Sequence, residues 1–273
     1  RLEQAFLNCE KLQRHMLFLL NKGALFKVYN NNLLYHGCVP LNEDGSLKSV
    51  RIYGHSYKGK SLYEILESYV RKGFHALDAK ERERGKDMMW YIWLSEGSPL
   101  FGKDKMATFE RYFLAEKETH KEKKNPYYSL LENEKVVDRI LEEFGLPAEG
   151  THIINGHVPV KVINGENPVR GNGKAIVIDG GFCRAYQKTT GIAGYTLIYN
   201  SYGLRLMSHQ PFSNSQKSLE KNEDIESKSK IIEQMQTRIM VNDTDLGEEI
   251  KIQLSDLEEL LNAYKTGVLT PQE

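Results

Sequence analysis

Residues 152–179 read HIINGHVPVKVINGENPVRGNGKAIVID, and the architecture follows from how this stretch is parsed. Three short apolar runs, His152–Asn155, Val158–Ile163 and Ala175–Asp179, are separated by glycine-bearing segments. Runs of this length, rich in isoleucine and valine and bounded by glycine, read as strands rather than helices. Downstream the pattern continues in Tyr195–Asn200 and Leu204–Ser208. Upstream, Ala24–Tyr29 and Leu33–His36 are two further runs, joined by Asn30, Asn31 and Asn32, a residue type that tolerates tight turns. The expectation is a sheet whose loops cluster at strand ends.

Helical patterns surround these runs. Leu2, Phe6, Cys9, Leu12, Met16 and Leu19 recur at helical spacing, and Gly23 offers a stop. Ser61 with Glu64 reads as a capping box, and Asp78 as the cap of a helix running to about Trp93. Residues 94–105 read as a loop. Residues 126–144 read as a helix opened by Pro126 and closed by Gly145. Residues 213–229 are almost wholly polar and read as an exposed mobile insert. Lys230–Val241 fits a helix or a strand, Lys251–Leu254 a short strand, and Ser255 with Glu258 the cap of a final helix ending near Gly267. The class expected is α+β, or layered α/β, with helices covering at least one sheet face. The expected division is a main domain over 1–212, the insert at 213–229 and a helix/strand/helix extension over 230–273.

Composition narrows the partners. Lysine plus arginine and aspartate plus glutamate each number 37, so no polyanionic partner such as nucleic acid is indicated. Three cysteines with no CxxC pair suggest neither a zinc knuckle nor a disulfide framework, and point to reduced thiols in the cytoplasm. No apolar run approaches the roughly 18 residues of a membrane span.

Two histidines carry the chemical interest. His36, in LLYHGCVP, and His157, in IINGHVPV, each follow an apolar run, neighbour a glycine and precede Val-Pro. A strand end fixes a side chain while the loop beside it leaves coordination positions open, and neutral imidazole suits manganese, iron or zinc. Either residue alone also fits a commonplace strand-end imidazole bonded to backbone. Asp179, the carboxylate in IVIDGGF, is placed to orient a histidine or a loop. Glycine-flanked loops carry Lys103, Arg111, Arg170, Lys174, Arg184 and Lys188, suited to clamping a phosphate, with solvated surface charge as the plain alternative for each. Tyr186 and Tyr195 are candidates for sugar hydroxyls. Cys38, Cys183 and the aromatic group Trp90, Tyr91 and Trp93 read as core.

LLYHGCVPLNEDG (33–45) and INGHVPVK (154–161) resemble the strand–His–Gly and later Gly-His segments of calcineurin-like metallophosphoesterases. WYIWLSEGSPLFGKDKMATFERYF (90–113) and the run from Gly156 to Phe212 resemble bacterial class III fructose-1,6-bisphosphatases in particular. The resemblance implies the C-terminal part of a metallophosphoesterase β-sandwich flanked by helices, from a longer protein that hydrolyses fructose 1,6-bisphosphate to fructose 6-phosphate and phosphate in gluconeogenesis. It further implies a dinuclear manganese site in that protein, His36 and His157 as metal ligands, and response to metabolite effectors. The family's Asp-x-His, Gly-Asp-x-x-Asp-Arg-Gly and Gly-Asn-His motifs have no counterpart here. The bridging aspartate and the leaving-group histidine are therefore expected from a missing N-terminal half, and the isolated chain is expected to be inactive. Another calcineurin-like phosphoesterase, or a non-catalytic binding or assembly half, are the alternatives.

Overall fold

The computed structural model describes residues 1–179, 181–211, 216, 219, 220 and 227–270. The chain divides into two compact units, Arg1–Gly191 and Ile192–Glu273.

The first unit runs α1 (Leu2–Leu7), α2 (Glu10–Lys22), β1 (Phe26–Tyr29), β2 (Asn32–Tyr35), β3 (Val50–Ile52), β4 (His55–Tyr57), α3 (Gly59–His75), α4 (Ala79–Leu94), α5 (Thr108–Phe113), α6 (Tyr127–Leu130), α7 (Glu134–Glu143), β5 (His152–Asn155), β6 (Val169–Arg170), β7 (Ala175–Val177) and α8 (Arg184–Thr190). Its main sheet has the order β1-β2-β5-β7-β6. The three middle strands are parallel, with Leu33 opposite Ile153 and Ile153 opposite Ala175. β1 and β6 close the two edges antiparallel. Every residue of β5 and β7 is buried, as expected of parallel strands covered on both faces.

Local chemistry explains most boundaries. The β1–β2 hairpin turns through Asn30 and Asn31 at φ of 46° and 59°, the left-handed conformation that two-residue hairpin turns require and asparagine tolerates. Asp78 Oδ1 accepts from the backbone N–H groups of Lys80 and Glu81, both at 3.0 Å, and starts α4. Ser61 lies at the third position of α3 rather than at its cap: its hydroxyl accepts from Lys58 N–H at 3.3 Å. The helix expected over 126–144 is broken into α6 and α7, because Asn133 caps α7 afresh by accepting from Lys135 N–H. Val158–Ile163 is not a strand; its glycine- and proline-flanked backbone forms a loop and a short 3-10 turn.

The core packs helices against this sheet. Val136, Val137, Ile140 and Leu141 form the buried stripe of α7, and Leu62, Tyr63 and Leu66 that of α3. Each aliphatic side chain so buried contributes about 1.5–3 kcal/mol. Phe26, Tyr63 and Phe144 meet edge to face, with centroids 5.0 to 5.7 Å apart, a geometry the ring quadrupole favours. α3 and α4 touch backbone to backbone: a Cβ on Gly85 would lie 2.6 Å from the Gly73 Cα. Only glycine permits that approach.

Two expectations about the core are corrected. Trp90 and Trp93 are 60% and 58% exposed, their rings packed edge to face on the outer side of α4. α4 turns Gly85, Met88 and Ile92 inward instead, so the tryptophans fall on the opposite face of the 3.6-residue repeat. With Met16, Leu20, Val70 and Phe74 they line an open apolar groove of about 590 Å³. Cys183 is exposed rather than buried, whereas Cys38 is buried as expected.

The second unit holds β8 (Gly194–Asn200), β9 (Gly203–His209) and β10 (Ser227–Gln234), an antiparallel sheet of order β10-β9-β8. Ser227–Ser229, assigned from composition to a mobile insert, pair with His209, Ser208 and Met207 as the start of β10. Most of the rest of 213–229 lies outside the described residues. One helix then covers Asp245–Lys265, capped by Thr244, whose hydroxyl accepts from Gly247 N–H at 3.2 Å. Lys251–Leu254 and Ser255 lie inside that helix, not in a strand and a new cap. The Thr244 cap and two acidic residues in the first turn nucleate it earlier.

Candidate functional site

The parallel strands β2, β5 and β7 end on one edge of the sheet, and each delivers a polar side chain just past its last residue: His36, His157 and Asp179. In open sheets of this kind the carboxyl edge is where ligands bind.

The segment after β2 is held from four directions. His36 C=O accepts from Gly156 N–H at 3.0 Å, and Cys38 N–H donates to Pro99 C=O at 2.8 Å. Asn155 Nδ2 donates to Gly37 C=O at 3.0 Å, and Tyr63 O–H to Cys38 C=O at 2.8 Å. Gly37 has to be glycine, because a Cβ there would strike the Pro99 carbonyl oxygen and lie 2.8 Å from that of Leu100. Gly37→Ala is therefore expected to cost about 1–3 kcal/mol of stability, read as a lower urea midpoint. An unchanged midpoint would mean that the 99–101 loop yields freely.

His36 Nε2 and His157 Nδ1 face each other at 2.9 Å, with ring centroids 4.8 Å apart. His157 Nε2 lies 3.0 Å from the Phe101 carbonyl. A carbonyl only accepts, so this nitrogen carries the proton and Nδ1 presents a bare lone pair whenever the ring is neutral. Burial, then the neighbouring His36 charge, lower the His157 pKa below the ordinary imidazole value and favour that neutral form. His157 also sits at φ 69°, a left-handed conformation costing an ordinary residue roughly 1–2 kcal/mol. Strain of this kind collects at functional positions.

The pair fits part of a metal shell. Bonds of about 2.0–2.1 Å from imidazole to one cation bring neighbouring ligand nitrogens to roughly the separation seen here, and a hydrogen bond from the far nitrogen to a carbonyl is the usual way a ligating histidine is oriented. All eight histidines lie among the described residues, and there no three His, Cys, Asp or Glu side chains form a ligating cluster. Asp179 serves the loop: its Oδ1 accepts from Gly181 N–H at 2.9 Å. Burial pushes the Cys38 thiol up to about 12, so it is no nucleophile.

The basic candidates scatter. Lys103 and Arg111 converge on Glu122, at 2.7 and 3.3 Å. Burial opposes ionisation of that carboxyl, yet its hydrogen bond with Lys103 brings its pKa below the usual range. Lys174 sits at the start of β7, the opposite sheet edge from His36, and pairs with Asp138 at 2.6 Å and Glu134 at 2.9 Å. Its two carboxylates take up the charge expected for a phosphate. Arg184, Tyr186 and Lys188 are exposed on α8. Tyr195 is 6% exposed, so it belongs to the interior and not to a sugar-contacting surface.

Arg170 borders a cavity that reaches Gly156, the neighbour of His157, and Lys103 lines a second one of about 190 Å³. The first, of about 310 Å³, is lined by Lys124, Tyr128, Asn155, Gly156, Glu166 and Arg170 among others. Lys124 and Asn155 were not singled out from sequence. The dense basic run Lys121, Lys123 and Lys124 ahead of Pro126, and the position of Asn155 two residues before His157, were the available signals.

These features define an α+β protein whose candidate site lies at the carboxyl edge of its parallel strands. The chain belongs to the Firmicute fructose-1,6-bisphosphatase family, whose model matches residues 1–266. It is 57% identical over 270 residues to the fructose-1,6-bisphosphatase class 3 of Clostridium botulinum (strain 657 / Type Ba4), covering 98% of this chain and 40% of that protein. It is 54% identical over 274 residues to the fructose-1,6-bisphosphatase class 3 of Clostridium novyi (strain NT), covering 100% of this chain and 41% of that one. No solved structure matches the chain.

Proposed function

We propose that this chain is the C-terminal portion of a metal-dependent fructose-1,6-bisphosphatase, acting in gluconeogenesis in the cytoplasm. The facing nitrogens of His36 and His157, 2.9 Å apart at the ends of adjacent parallel strands, carry the reading. No helix is long and apolar enough to cross a membrane among the described residues, and the balanced net charge gives no reason to expect nucleic acid as a partner.

His157 Nδ1 and His36 Nε2 would hold one manganese ion, with the Phe101 carbonyl fixing the His157 tautomer. When bound, a pair of cations supplies the activated hydroxide and the charge that stabilises in-line displacement at phosphorus. The anionic bridge between the two ions and the proton donor to the leaving group come from the N-terminal half of the longer protein. Gly37 and the 98–101 turn keep the two imidazoles in register before substrate arrives, so the chain pays for positioning in folding rather than during turnover. Metabolite effectors act on the longer protein.

The test is a substrate panel on the longer protein with manganese: fructose 1,6-bisphosphate, fructose 6-phosphate, an aryl phosphate and a phosphoserine peptide. A kcat/KM for fructose 1,6-bisphosphate at least on the order of tenfold above the others is expected. Preference for the phosphopeptide would sink the reading.

A further inference from the structure

The last helix, α9 (Asp245–Lys265), carries an apolar seam that the described residues do not cover. Ile250, Leu254, Leu257, Leu261 and Tyr264 follow one another at alternating intervals of four and three residues, the heptad spacing of a coiled-coil seam. All five are between 39% and 60% exposed, and Leu260 beside them is exposed too. The single buried residue of the helix is Gly247. Among the described elements, α9 packs substantially only on the 3-10 turn Val241–Asp243 that leads into it. A helix in water draws most of its stability from burying an amphipathic face, so the seam calls for a partner.

Charge argues for a protein partner rather than a lipid surface. The helix holds six acidic residues against Lys251 and Lys265, whereas a helix that lies on an anionic membrane is rich in lysine and arginine on its polar face. The seam is also complementary to itself when a second copy runs antiparallel. Setting Leu254 of one helix level with Leu257 of the other brings Ile250 level with Leu261, and the two-fold axis repeats both layers. Lys251 of each copy then flanks the seam beside Glu258 of the other, giving two pairs of opposite charge. A parallel pair has no such match, because it sets Gln253 against Glu258 and Leu260 against Lys265.

Lys251 can serve this contact. Its ammonium has three donors; within its own chain it bonds Glu248 at 2.5 Å and the Asn242 carbonyl at 3.0 Å, which leaves one. Within one helix Lys251 and Glu258 stand about 10 Å apart along the axis, so they meet only across two copies. We infer that α9 is a self-association surface that pairs antiparallel with α9 of a second copy of this chain. The inference is independent of the proposed reaction.

Sedimentation equilibrium of the longer protein over a range of concentrations tests it, and the wild type is expected to self-associate reversibly. Leu254→Glu puts a carboxylate into a buried layer and is expected to weaken association at least roughly 100-fold. Leu254 is exposed in the single chain, so helical content and thermal midpoint of the dissociated variant should match those of dissociated wild type. Lys251→Glu and Glu258→Lys each set like charges together and are expected to weaken association roughly tenfold. An equimolar mixture of these two variants is expected to regain wild-type affinity, because each changed side chain then meets the opposite charge on the other copy. A mixture no tighter than its components overturns the antiparallel pairing. A wild type that stays monomeric, or association indifferent to Leu254→Glu, overturns the inference altogether. A monomer that unfolds on Leu254→Glu does so as well, and places the seam against the N-terminal portion of its own chain.

Discussion

The 273-residue chain purified alone, with manganese and fructose 1,6-bisphosphate, is expected to release phosphate no faster than buffer. On the proposed reading two imidazoles face a cation at the sheet edge, and no cluster of three ligating side chains exists among the described residues. Holding two dications about 3.5–4 Å apart requires an anion between them. Asp179 Oδ1 is engaged with Gly181 N–H, and we expect it to orient the loop rather than bridge two cations. Phosphate-monoester hydrolysis is among the slowest uncatalysed reactions, with accelerations up to ~10²¹, so an incomplete site leaves nothing measurable. The coupled phosphate assay is to be paired with a urea transition on the same sample, so that loss of fold is not mistaken for an incomplete site. Robust metal-dependent turnover by a folded chain would show that the ligand set is complete within these residues.

In the longer protein, His36→Ala and His157→Ala are each expected to lose bound metal and activity together, by more than the ~10–100-fold typical of removing an orienting partner. Stability should separate them. His36 is exposed and contributes little packing, so its replacement leaves the unfolding midpoint nearly unchanged. His157→Ala gives up the hydrogen bond to Phe101 and keeps the left-handed backbone at φ 69°. His157→Gly loses the same bond but is relieved of the steric cost, and should be more stable than His157→Ala by roughly 1 kcal/mol. Elemental analysis and denaturation of the three variants read both effects. Normal metal content in all of them would return the histidines to backbone-bonded strand ends.

The sequence by itself determined the strand cores, the asparagine turn, the Asp78 cap and the pair of strand-end histidines. Each rests on a local rule: apolar period, left-handed tolerance, or a side-chain oxygen beside free N–H groups. That His36 and His157, 121 residues apart, come within 2.9 Å was decided only by β2 and β5 pairing in parallel and in register. The same topology sent Lys174 to the far edge, since β7 runs parallel to both and Lys174 precedes it. Trp90 and Trp93 faced outward because the Gly73–Gly85 contact fixed the rotation of α4. Ser227–Ser229 became strand because β9 offered an open edge to a polar segment, and composition carries no record of such an edge. Asn155 Oδ1 was left without a hydrogen-bond donor only by the packing around β5. Hydrogen-bond satisfaction and charge pairing are sums over neighbours brought from distant parts of the chain, and only the tertiary structure decides them.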